Sequence, residues 1–342
     1  MKCTLCYYAI MNPIPLNILT LYADLEQNVL ADVLERATIS HRLVGGQRRL
    51  YADIRRGDQR LQIYLGTVGD PEAESKADLY RRGAADAKIR RNTVAMLKRA
   101  GIGGPDLETG RIIEALARGG LFERGALLVG TVAFQTFPPI VGAYLPGAAR
   151  MTQDADLAAT RLAIPHLAKG MHVDAMLKNA DAAFAPRFAA GDKLPARFQS
   201  SKTGLIVEML TTRGRSDGPV QIPALGCAAI PLRFMEYLLE DPIEAVVLYG
   251  AGVRIKVPDP ARYAVHKLIV HQVRTNPIKA PKDLWQAKEL IEIYRTRDPD
   301  HLDDMIEDAT RRGRTWAKLV RDGLRLAEAM PSAARRSNRS AR

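Results

Sequence analysis

The sequence predicts an α/β (α+β) fold: a mixed sheet at its centre, an N-terminal module of one helix and a β-meander, and a helical C-terminal region. Three observations carry that prediction. A short apolar run at 126–129 reads as a buried strand and breaks at Gly130-Thr131 into an apolar helical segment that stops at Pro138 and Pro139. A second apolar run, 204–210, reads as a central strand carrying one carboxylate, Glu208. The hydrophobic period changes from helical to alternating over 41–66, and downstream of Asp259 it is helical again.

Taken in order, residues 14–37 place Leu16, Leu19, Leu25, Val29, Val33 and Leu34 near helical spacing. Over 41–66, three alternating stretches are separated by Gly45-Gly46 and Gly57-Asp58, dipeptides suited to hairpin turns. Asp70 before Pro71 is an N-cap with proline in the first turn, and Glu72 and Glu74 suit the positive end of the helix dipole. This helix runs to about Arg99, ahead of Gly101. Asp106 opens another, with Ile112, Ile113 and Leu116 on its apolar side and Gly119-Gly120 closing it. Helical pieces are predicted between 157 and 200, with a loop over 185–195 long enough to be a functional loop or lid. Residues 245–257 read as a hairpin across Gly250 and Gly252, Asp259-Pro260 caps a helix to about Arg274, and two or three more helices run from Lys282 to Ala329. The expected division is 1–103, 104–258 and 259–330, with a basic tail, 331–342, expected to be disordered.

A chain of 342 residues can bury a large core, and 47% hydrophobic with 26% charged residues is a globular composition. No apolar run reaches the ~18 residues of a membrane span, and Asn12-Pro13 interrupts the N-terminal apolar stretch, so the expected compartment is cytoplasmic, with no membrane partner. A net charge of +12 favours anionic partners, nucleic acid or nucleotide first; a basic tail is the bland source of the same charge. Cys3-x-x-Cys6 has zinc-knuckle spacing but no second pair to complete four ligands, and it precedes Met11, a second candidate start. The residue order offers no Ser-His-Asp or Cys-His logic, no Walker lysine motif and no G-x-G-x-x-G.

The chemistry concentrates downstream of the first strand. If Asp154-Ala155-Asp156 is a strand, its two carboxylates share a face and repel unless a cation or a shared proton relieves them. A Gly-Thr turn between strand and helix brings backbone N–H groups and a hydroxyl up to a phosphate. Carboxylates for hard cations beside a phosphate cradle equip a site for metal-dependent phosphoryl or nucleotidyl transfer. Read blandly, Asp-x-Asp is a solvated capping turn and Gly-Thr a tight turn without a ligand.

The order strand, Gly130-Thr131, helix, Asp154-Ala155-Asp156 and a later strand carboxylate resembles the DNA polymerase β-like nucleotidyltransferase superfamily. More narrowly, the chain resembles a family of bacterial nucleotidyltransferase-domain proteins over residues 38–297, on those motifs, on 204–211, and on Val257-Pro258-Asp259-Pro260, His266-Lys267 and Lys282-Asp283. The resemblance implies a polymerase β-like core and transfer of an NMP group from an NTP to an acceptor hydroxyl, with pyrophosphate released by a two-metal mechanism using Mg²⁺ or Mn²⁺. It assigns Asp154, Asp156 and Glu208 as catalytic and metal-ligating, and Gly130, Thr131, Lys267 and Lys282 as nucleotide-binding. Glu208 departs from the aspartate usual at the third position. A lone carboxylate in an apolar strand is costly, and an ion shared with Asp154 and Asp156 is the expected compensation. Lys267 and Lys282 also read as a solvated helix face, and His266 as a packed histidine.

The meander is rich in arginine, Arg48, Arg49, Arg55 and Arg56 foremost, interleaved with Tyr51 and Tyr64. Such a mixture suits phosphate contacts and base stacking, and equally an ordinary charged exterior. The acceptor is expected to be RNA, tRNA or a protein, and the oligomeric state is open. Two rivals from other classes stand beside the enzyme: a non-catalytic nucleic-acid-binding or toxin–antitoxin component retaining the fold, and a nucleotide sensor.

Overall fold

The computed structural model describes residues 12–30, 37–56, 59–146, 159–163, 172–188, 191, 193–213, 218–274 and 280–331. Helix α1 (Leu16–Leu30) precedes an antiparallel meander of β1 (Ala37–Val44), β2 (Gln47–Arg56) and β3 (Gln59–Thr67), with the first turn at Gly45-Gly46 as the dipeptide predicts. Leu50, Ala52 and Leu65 form a small core with Ala73 and Ala77, one turn apart at the start of α2 (Pro71–Arg99). The small side chains let sheet and helix approach closely. A Cβ on Gly66 would stand 2.4 Å from that of Ala73, so only glycine fits there.

Asp70 caps α2, accepting from the Glu72 N–H at 3.0 Å. At 29 residues, α2 is about 43 Å long. Its far end buries Val94 and Leu97 with Tyr22 and Leu25 of α1 and with Val246 and Leu248. The Tyr22 hydroxyl also accepts from the Val246 N–H at 3.0 Å.

The central part runs α3 (Leu107–Arg118), β4 (Leu127–Val129), α4 (Gly130–Phe134), α5 (Phe137–Val141), β5 (Ala159–Ala163), α6 (Val173–Ala180), β6 (Phe184–Arg187), β7 (Arg197–Ser200), β8 (Ile206–Thr212), β9 (Val220–Ile222), β10 (Cys227–Leu232) and α7 (Met235–Leu238). Its sheet is mixed, in the order β4-β5-β8-β10-β9. Strand β4 is antiparallel to β5, β8 lies parallel to both β5 and β10, and β7 pairs antiparallel with the first half of β8. A separate hairpin, β11 (Ile243–Val247) and β12 (Val253–Val257), leads into α8 (Pro260–Val273), α9 (Ala280–Arg297), α10 (Pro299–Arg311) and α11 (Arg314–Ala329).

Two expectations are corrected. The predicted loop over 185–195 is partly strand: residues 184–187 pair with 197–200, burying Phe184 and Phe198. Pro186 is tolerated because β6 is an edge strand whose described partner is β7 alone. Pro138 and Pro139 do not end a helix but sit in the first turn of α5, where a missing N–H costs nothing. Strand β10 has no counterpart in the sequence reading, since Cys-Ala-Ala has weak strand propensity.

One hydrophobic core runs from Ile112 of α3 to Ala327 of α11, across the expected boundary at residue 258. Helix α8 passes through it with residues 260–269 all buried, which is why its sequence shows no polar stripe. Arg262, buried on α8, ties the helices together: its guanidinium lies 2.5 Å from Asp308 of α10, 3.1 Å from Asp241, and 4.7 Å from the centre of the Tyr237 ring. Cys227 is a buried free thiol, pushed up to about 12 by desolvation. Cys3, Cys6 and the tail 332–342 lie outside the described residues. No described helix is long and apolar enough to cross a membrane.

Candidate functional site

Strand β4 hands over directly to α4 at Gly130, whose φ of +74° favours glycine. Gly130 and Thr131 are half-buried, between the buried strand before them and the buried Val132, Ala133 and Phe134 after. Gly130→Ala should cost about 1–2 kcal/mol, measured by chemical denaturation. An unchanged midpoint would show that the turn tolerates a side chain.

The sheet register sets this turn beside Glu208. Val129 pairs with Arg161, Arg161 with Glu208, and Glu208 with Arg197, one rank across β4, β5, β8 and β7. With strands about 4.8 Å apart, the backbones of Val129 and Glu208 are separated by roughly 10 Å. Glu208 has a compensating partner: Arg197 Nε lies 2.8 Å from its Oε1, with the carboxylate 13% and the guanidinium 56% exposed. The expectation that an apolar strand leaves this carboxylate alone is therefore corrected. A cross-strand cation neutralises it, and the burial argument alone no longer requires a metal ion.

Behind the turn stands Tyr263 of α8. Its hydroxyl donates to the Gly130 carbonyl oxygen at 3.1 Å and lies 3.1 Å from the Gln286 side-chain oxygen. Its ring stacks on Phe134 at 6.0 Å and meets the edge of Phe137 at 5.1 Å. The C-terminal helices thus hold the backbone of the Gly-Thr turn directly. No sequence motif marks Tyr263, because its partner is 133 positions away.

One turn further along α8, Lys267 Nζ stands 5.1 Å from the Tyr263 ring centre and forms a buried ion pair with Asp283, which Arg274 approaches at 2.9 Å. Its charge is matched within the protein, which corrects the reading of a solvated helix face for this residue. Lys282 is exposed on the first turn of α9. Asp154 and Asp156 lie outside the described residues, and among the described residues no group of three or more His, Cys, Asp and Glu could hold a metal ion. In the meander, strand alternation sends Arg48 to the side of Leu50 and Arg49 to that of Tyr51, so these two do not form one patch. The side chains of Arg55 and Arg56 lie outside the described part of the structure.

His266 is packed as expected. It is buried, and among the described residues neither ring nitrogen has a hydrogen-bond partner. Burial first, then the Lys267 charge, pulls it down to about 3 from 6.5. Below pH 6.5 the unfolded chain therefore binds a proton that the folded protein refuses, and stability falls with pH between 6.5 and about 3. Between pH 7 and 5.5 the loss should be about 1.2 kcal/mol, and His266→Leu should flatten that part of the melting-temperature profile. An equal slope in the variant would assign the acid sensitivity elsewhere.

The layout is that of a mixed α/β protein in which a glycine-threonine turn and a carboxylate share one level of the sheet, clamped from behind by a helical layer. Comparison with known proteins gives the class a family: a family model described as Nucleotidyltransferase matches residues 107–311, more than half of the chain. The chain belongs to that nucleotidyltransferase family. The matched segment begins with the first residue of α3 and ends with the last of α10, so the meander, α2 and α11 lie outside it. No curated protein and no solved structure matches the chain.

Proposed function

We propose that this nucleotidyltransferase moves the NMP group of an NTP to an acceptor hydroxyl. The acceptor oxygen gives up its proton to solvent and bonds to the α-phosphorus as the bond from that phosphorus to the bridging oxygen breaks, and pyrophosphate leaves with the electron pair. The observation that carries this reading is the rank from Val129 to Glu208, in a chain whose family transfers nucleotides. Strand β5 starts at Ala159, two residues before that rank. In sequence, Asp156 precedes Ala159 by three residues and Asp154 by five.

The donor set of Asp154, Asp156 and Glu208 is all oxygen, which fits a hard cation such as Mg²⁺ or Mn²⁺. When bound, such ions would neutralise triphosphate charge and lower the pKa of the acceptor hydroxyl. Gly130 and Thr131 would offer N–H groups and a hydroxyl to the β and γ phosphates. Tyr263 would keep that turn from moving, and Arg197 would orient Glu208. Each of the four NTPs, labelled at the α-phosphate, should be offered with Mg²⁺ to RNA, tRNA, protein and small-molecule acceptors. Label is expected in one acceptor class, absent with EDTA and absent from a γ-labelled NTP. Failure of all four NTPs would overturn the reading. The Glu208–Arg197 pair, which satisfies the carboxylate without an ion, favours the rival of a non-catalytic nucleic-acid-binding or toxin–antitoxin component. Salt-dependent RNA binding without turnover would select it.

A further inference from the structure

We infer that the face of the β1–β2–β3 sheet turned away from α2 binds single-stranded nucleic acid, with bases stacked on Tyr51 and Tyr64 and phosphates held by Arg42 and Arg49. The sheet has two unlike faces. Leu50, Ala52 and Leu65 take the α2 side and make a small core. Strand alternation leaves Tyr51 and Arg49 of β2, Arg42 of β1 and Tyr64 of β3 for the other side. Tyr51 and Tyr64 are register partners with ring centres 5.4 Å apart. The Arg42 guanidinium lies 5.8 Å from the Tyr51 ring centre and that of Arg49 lies 5.7 Å from Tyr64.

This surface is not explained by packing. Tyr64 is 51% exposed, and neither tyrosine belongs to the small core on the other side. Among the described residues, Arg42 and Arg49 have no carboxylate within ion-pair distance. Asp53, the acid on this side, is buried and accepts from the Gln62 amide at 2.8 Å.

Arginines without a carboxylate partner, beside one exposed and one half-buried ring, recognise a polyanion that also presents flat π faces. A single strand offers both, whereas a duplex keeps its base faces stacked, and an acidic protein would gain nothing from the rings. The sheet lies outside the segment matched by the nucleotidyltransferase family, so the family does not account for it.

The test uses the full chain without NTP or divalent metal, so its outcome is independent of nucleotide transfer. Binding of a short labelled homopolymeric RNA, its DNA counterpart and a duplex is followed by fluorescence anisotropy across a salt series. The single strands are expected to bind more tightly than the duplex. Tyr51→Ala with Tyr64→Ala should weaken single-strand binding by about tenfold or more, ~1.4 kcal/mol, at unchanged salt slope, and the double Phe variant should bind as the wild type. Arg42→Gln with Arg49→Gln should weaken binding and lower the salt slope by about 1.4, roughly 0.7 per phosphate on a single strand. If the alanine pair fails to fold, the glutamine pair and the phenylalanine pair decide. Wild-type affinity and slope in the arginine variant, duplex binding equal to single-strand binding, or displacement by polyglutamate as effective as by oligonucleotide would each overturn the inference.

Discussion

Asp154→Ala and Asp156→Ala are each expected to abolish nucleotide transfer, a loss of at least a thousandfold, or about 4 kcal/mol of barrier stabilisation. The proposed reaction uses both carboxylates to hold divalent ions against a triphosphate, and either deletion would leave one. The loss should not come from unfolding. If the two carboxylates stand together as proposed, removing one in EDTA relieves repulsion, and the variants should melt at or above the wild-type temperature. Added Mg²⁺ should raise the wild-type melting temperature by mass action and leave both variants unmoved. The thermal readout keeps the metal assignment separate from catalysis. Wild-type turnover, or a wild-type Mg²⁺ shift, in either variant would remove that aspartate from the site.

What was legible in the sequence is what local rules write. The Gly45-Gly46 turn, the alternation of Leu50 and Ala52, and the caps Asp70, Asp106 and Asp259 need only neighbours a few residues away, and the structure has each of them. The break at Gly130 was readable for the same reason, since a buried strand entering a helix through a positive φ leaves a glycine behind. What was not legible depends on pairing at a distance. Tyr263 meets Gly130 only because α8 is threaded through the core, and the buried partner of Lys267 arrives from another helix. Strands β6 and β7 were hidden by Pro186 and by their shortness, and with them the partner of Glu208. A strand assigned without its neighbour makes any carboxylate on it look unpaired.

That neighbour sharpens the prediction for Glu208. Arg197 already neutralises the carboxylate, so a purely structural Glu208 is worth little: the guanidinium is more than half exposed, and such pairs contribute about 0–1 kcal/mol. Glu208→Gln should therefore leave the melting temperature nearly unchanged. If the carboxylate also serves transfer, turnover should fall by a hundredfold or more while NTP affinity stays within about tenfold, ~1.4 kcal/mol, because the group acts on the acceptor rather than on the triphosphate. Glu208→Asp should keep partial activity, having the charge but one methylene less reach. Arg197 then competes with divalent ions for the same oxygens, and Arg197→Gln should lower the Mg²⁺ concentration for half-maximal transfer by a few fold. Single-turnover rates across a Mg²⁺ titration measure all three variants together. Turnover of Glu208→Gln within threefold of wild type, with an unshifted Mg²⁺ dependence in Arg197→Gln, would confine Glu208 to its ion pair and remove it from the proposed metal site.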